Sequence, residues 1–160
     1  MAADDSGEKQ AMWAQPEAPG MQAALQAARD GLAEGGIPIG SALVDGAGQV
    51  LASGANQRVQ KDDPILHGEM DCLQKAGRRT SYQDCTIYST LMPCYMCAGT
   101  IVQFKIPRVV VGESRNFDGA REFMEAHGVQ VIDLDMAACY TMMADFIKVN
   151  PMLWNEDIAE

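Results

Sequence analysis

Two short motifs, His67-Gly68-Glu69 and Pro93-Cys94-Tyr95-Met96-Cys97, constrain this chain more than any other feature, because they can act together only if the fold brings them to one point. Between them lies Cys85-Thr86-Ile87-Tyr88-Ser89, which reads as a buried strand. A strand with a helix start on either side would deliver one imidazole and two thiols to the same place. Three such ligands are the usual complement of a catalytic zinc, whose fourth tetrahedral position stays open for water. Glu69 stands two residues from the histidine, close enough to handle that water's proton.

The flanking sequence supplies the elements. Met21, Leu25, Ala28 and Leu32 fall on one stripe of a helix predicted over 20–34, ended by Gly35-Gly36. Strands over 41–44 and 49–54 form a hairpin through Asp45-Gly46-Ala47-Gly48. A loop with Asn56 and Arg58 runs to Pro64. A helix over 65–77 carries His67 and Glu69 in its first turn, with Leu66, Met70, Leu73 and Ala76 as its apolar face. Pro93 marks the start of a helix over 94–104. Strands over 108–112 and 129–134 flank a short helix, 120–127. A long helix over 136–149 is stopped by Pro151, with 154–158 as a short tail.

Strands separated by helix-sized crossovers pair in parallel. The expected fold class is α/β, a three-layer α/β/α sandwich with a mixed five-stranded central sheet. Residues 20–160 form its single domain, and residues 1–19, polar and small, read as a flexible arm with Trp13 as its anchor.

Charge narrows the partners. The net charge is −10, and the basic clusters Lys75/Arg78/Arg79 and Lys105/Arg108 are small, which argues against nucleic acid. No apolar run approaches the roughly 18 residues of a membrane span. The acidic Met1-Ala2-Ala3-Asp4-Asp5 does not read as a signal peptide. A cytoplasmic protein is expected, with nuclear access left open, and its five cysteines as thiols or metal ligands rather than disulfides.

Each motif taken singly has a plainer reading. A lone Cys-x-x-Cys reads as a redox pair or as chance, and a histidine near a glutamate is often surface decoration. With the strand between them and Pro93 ahead of Cys94, they match the known H-x-E and P-C-x-x-C signature of zinc deaminases. The spacing of Cys94 and Cys97 puts both sulfurs on one helix face, at an N-terminus that favours thiolates. A purely structural zinc would call for a fourth protein ligand. Cys72 is poorly placed on the His67 helix, and Cys72, Cys85 and Cys139 are expected to be buried as small hydrophobes. This favours an open site with one Zn2+ per chain.

From Met21 onward the sequence resembles the fungal-type cytosine deaminases, within the cytidine deaminase-like zinc hydrolases. The resemblance is carried by Glu34-Gly35-Gly36-Ile37-Pro38-Ile39-Gly40, Leu66-His67-Gly68-Glu69, Thr90-Leu91-Met92-Pro93-Cys94, Ile106-Pro107-Arg108, Val110-Val111-Gly112-Glu113 and the tail Trp154-Asn155-Glu156-Asp157-Ile158. It implies hydrolysis of free cytosine, a small pyrimidine base, to uracil and ammonia in pyrimidine salvage, by a homodimer. It implies His67, Cys94 and Cys97 as zinc ligands. Glu69 would be the catalytic residue, moving water's proton to ring N3 and then to ammonia. Asn56, the Gly68 N–H and Asp157 would bind the base, Phe117 and Trp154 would sandwich it, and Ile39 would line the pocket.

Val59 stands where these enzymes tend to carry an aromatic wall, and Met92 where they tend to carry serine. Cytidine, guanine and tRNA adenosine are therefore the alternative substrates. The alternative outside catalysis is a zinc-stabilised module, which would have no use for Glu69.

Overall fold

The computed structural model describes residues 12–160. Its five strands are β1 (Gly40–Val44), β2 (Val50–Ala55), β3 (Thr86–Ser89), β4 (Arg108–Val111) and β5 (Gln130–Asp133). Its helices are α1 (Pro19–Ala33), α2 (Gly68–Ala76), α3 (Tyr95–Gln103), α4 (Arg121–Ala126), α5 (Ala137–Val149) and α6 (Pro151–Asp157). The sheet runs β2-β1-β3-β4-β5. β1 is antiparallel to β2 and β3, and β3, β4 and β5 are parallel. The mixed sheet expected from the spacing is the one observed.

Strand alternation assigns each side chain to a layer. Leu43, Ile87, Val109 and Val111 pack against Leu73 of α2, Ile101 of α3 and Met124 of α4. Their neighbours Ala42, Val44, Tyr88 and Val110 pack on the opposite face, against Met21 and Leu25 of α1 and Cys139 of α5. A third cluster, with Ile37, Ile39, Leu91, Phe146 and Trp154, gathers at the end of the sheet beside α5 and α6. Gly40 lets α1 press onto the sheet, since a Cβ there would stand 2.0 Å from the Ala24 carbonyl oxygen.

Several sequence expectations shift. Leu32, expected on the buried stripe of α1, is 41% exposed, and Ala24 and Gly31 complete that stripe instead. The helix expected from 65 begins at Gly68. Asp63 Oδ1 accepts from the N–H groups of Ile65 and Leu66, and the Leu66 carbonyl accepts from Gln57 N, so these residues are held in the loop. Pro93 stands just before the cap residue Cys94, not within the helix. Pro151 ends α5 and also opens α6, where its missing N–H costs nothing, so the expected short tail is helical. Of the arm expected over 1–19, residues 1–11 lie outside the described residues. Pro19 already belongs to α1, and Tyr88 Oη donates to the Trp13 carbonyl at 2.8 Å.

Candidate metal centre and base pocket

His67 and Cys94 occupy equivalent positions, each in extended conformation as the N-cap of a helix, α2 and α3 respectively. β3 lies between these helices in the chain, and Cys97 follows one turn into α3. Cys94 Sγ is 3.5 Å from His67 Nδ1, and the donor atoms of His67, Cys94 and Cys97 all lie within 4.8 Å of one another. A sulfur at about 2.3 Å and a nitrogen at about 2.0 Å from one tetrahedral zinc are themselves about 3.6 Å apart, so the spacing fits that ion.

The hydrogen bond from the Cys97 thiol holds Cys94 down at about 4, against the opposing effect of burial. The Cys97 thiol is pushed up by that same interaction and by its burial. For His67, burial works to lower the imidazole. The hydrogen bond with Cys94 and the charges of Asp157, Glu69 and Cys94 outweigh it and carry His67 up to about 9. The three donors thus share protons around one point, and a divalent cation would take their place there.

Glu69 is buried in the first turn of α2, and burial raises its carboxyl, against hydrogen bonds from Cys97 and Ser89. Ser89, at the end of β3, was not singled out from the sequence. Its Oγ lies 2.5 Å from Glu69 Oε1 and 2.7 Å from the Leu91 carbonyl oxygen. A hydroxyl has one hydrogen, so it serves one of these acceptors at a time.

α6 brings the tail onto the metal donors. Asn56 Nδ2 donates to Asp157 Oδ1 at 3.1 Å, and His67 Nε2 lies 3.5 Å from the same oxygen. Burial raises the Asp157 carboxyl, against the opposing pull of His67, Asn56 and Arg58. Asn56 Oδ1 accepts from Arg58 N, leaving one N–H of the Asn56 side-chain amide to spare. Phe117 and Trp154 meet edge to face, with ring centroids 5.9 Å apart.

Ile39, Glu69, Phe117, Trp154 and Asp157 line one cavity with His67 and Cys94. Its free volume is about 20 Å3, room for about one water and too little for a six-membered ring. The structure therefore shows the pocket closed. Asn56 stands behind Asp157, and Gly68 packs on the Ile39 carbonyl, so neither is part of that lining. Val59 is half-exposed and does not line the cavity, whereas Met92 does, and the Met92 side chain also packs against Gly119. Cys72, Cys85 and Cys139 are buried.

A mixed sheet with a His-Cys-Cys donor set and a buried carboxylate at two helix starts defines the zinc-binding, cytidine deaminase-like class. The chain belongs to the family described as the cytidine and deoxycytidylate deaminase zinc-binding region, whose sequence model matches residues 15–113. It is similar to a cytosine deaminase of Candida albicans, 48% identical over 88% of this chain and 95% of that protein. It is also similar to a tRNA-specific adenosine deaminase of Haemophilus influenzae, 38% identical over 62% of this chain and 60% of that one. Among solved structures, a guanine deaminase from Nitrosomonas europaea shares the fold with a TM-score of 0.68, at 21% identity over 79% of this chain and 81% of that chain.

Proposed function

We propose that this chain hydrolyses free cytosine to uracil and ammonia. The observation that carries this reading is the meeting of the His67, Cys94 and Cys97 donors, the buried Glu69 and the tail residues Trp154 and Asp157 around one cavity. Trp154 and Ile158 of the tail line that cavity beside Asp157. Likeness to the Candida albicans enzyme along nearly the whole chain supports the choice of base.

His67, Cys94 and Cys97 are the residues that would hold the zinc, which supplies a water activated near neutral pH. Glu69 takes the proton that water loses on attacking C4, protonates ring N3, and passes a proton to the departing ammonia. Ser89 holds the Glu69 carboxylate between these transfers. Asp157 orients the base by a hydrogen bond, and Asn56 holds the Asp157 carboxylate from behind. Ile39, Phe117 and Trp154 wall the cavity and exclude water.

We assign residues 20–160 as the catalytic domain, acting in cytoplasmic pyrimidine salvage, in keeping with five free cysteines. No helix among the described residues is long and apolar enough to cross a membrane. Homodimerisation is proposed from the resemblance to the cytosine deaminases alone.

The test is ammonia release, measured with zinc content, across cytosine, cytidine, guanine and tRNA adenosine. Cytosine turnover with one zinc per chain is expected, and faster turnover of cytidine would overturn the substrate. Among the rivals, a non-catalytic zinc module is disfavoured by the burial of Glu69 beside the donors.

A further inference from the structure

One charged side chain at this end of the molecule has no part in the chemistry just described. Arg58 follows Asn56, and its guanidinium reaches three groups. Nε donates to Glu156 Oε2 at 3.2 Å, Nη1 donates to the Pro64 carbonyl at 3.4 Å, and Nη1 lies 4.0 Å from Asp157 Oδ1. Its own N–H donates to Asn56 Oδ1 at 2.9 Å. A single residue is thus tied to the loop after β2, to the segment leading into His67, and to two consecutive residues of α6.

α6 spans only Pro151–Asp157, too short to be stable alone. Leu153, Trp154 and Ile158 anchor it through apolar contacts, and Asp157 shares the inner face of α6 with Trp154, three residues before it. Rotation about the helix axis is what decides whether Asp157 faces Asn56. A guanidinium fork is directional and fits this task.

We propose that Arg58 is a positioning residue that holds α6 shut through Glu156 and so sets the Asp157 carboxylate over the pocket. This rests on the reading of the site as a deaminase pocket closed by α6.

The test combines hydrogen exchange of residues 151–160 with kcat and KM for cytosine, on zinc-loaded full-length protein. The variants are Arg58→Gln, Glu156→Gln, their double, and Arg58→Lys. Glu156 is more than half exposed, so Glu156→Gln is informative even where Arg58→Gln fails to fold. Each single variant should exchange roughly two- to fivefold faster in the tail and raise KM more than it changes kcat. The double variant should be no worse than the worse single, and Arg58→Lys should recover part of the loss. Additive losses, unchanged tail exchange, or a fall in kcat with KM intact would each overturn the proposal. A parent protein inactive on cytosine, with the same exchange pattern across the variants, would refute the substrate and leave the latch standing.

Discussion

Asn56 Nδ2 and Asp157 Oδ1 lie 3.1 Å apart and join positions 101 residues distant in the chain. The loop after β2, the cap of α2 and α6 converge on that one carboxylate oxygen, since His67 Nε2 is 3.5 Å from it. Asp157→Ala leaves these donors without their acceptor. Its kcat/KM for cytosine is expected to fall roughly ten- to a hundredfold. Asn56→Ala should fall in the same direction, and a double-mutant cycle should show strong coupling. Independent, additive effects would contradict the shared role.

Glu69→Gln preserves size and hydrogen bonding to Ser89 but removes the proton carrier. Turnover should fall by about 10²- to 10⁴-fold with zinc content near that of the parent. Zinc analysis and steady-state kinetics on one preparation check this, and turnover within tenfold of the parent would remove Glu69 from its role.

Metal removal should act on stability as well as on activity. Three donors with mutually coupled protons are held together at two helix caps, and the ion is the natural partner for their charge. Dialysis against a chelator should abolish turnover and lower Tm, and stoichiometric Zn2+ should restore both. A ligand at a hundred times its Kd stabilises by about 2.7 kcal/mol, enough to shift the melting curve visibly. An unchanged Tm with full activity after chelation would contradict the metal assignment.

Deleting the chain from Trp154 onward removes Trp154, Asp157 and Ile158 together. The five-stranded sheet keeps both of its helical layers, so circular dichroism should stay close to the parent, with a reduced denaturation midpoint. Cytosine turnover should be lost. A truncated protein with parental kinetics would show that α6 does not form the pocket.

Gly40→Ala tests the α1 contact. The new Cβ would meet backbone on one side, 2.0 Å from the Ala24 carbonyl oxygen and 2.6 Å from Ala28 N. Backbone cannot swing aside as a side chain does. The loss is expected to reach about 3 kcal/mol in urea denaturation. An unchanged midpoint would mean that α1 rides more loosely on the sheet.

Much of this architecture was legible in the sequence, for local reasons. Val109, Val110 and Val111 mark a central strand by composition alone, and helix-length crossovers on either side of β4 imply its parallel partners. The metal donors were legible because their spacing is chemical. Helix starts were less so, because Asp63 holds Ile65 and Leu66 in the loop through side-chain bonds that no periodicity records. Pro151 reads equally as a stop and as a first residue, which hid α6. Ser89 is a small polar residue in an apolar strand, and only the third dimension shows Glu69 beside it. Arg58 and Glu156 are 98 residues apart, with no local signal for their pairing.

With His67 holding an ion through Nδ1, the Asp157 carboxylate 3.5 Å from its Nε2 would make ion affinity and tail position two readings of one equilibrium. A carboxylate on the outer face of a ligating imidazole fixes which ring nitrogen is free to bind the ion and strengthens it as a donor. Whatever factor the ion gains when the tail docks, the tail must gain when the ion binds, because such coupling is reciprocal. Loosening one therefore weakens the other, even without a direct contact between them.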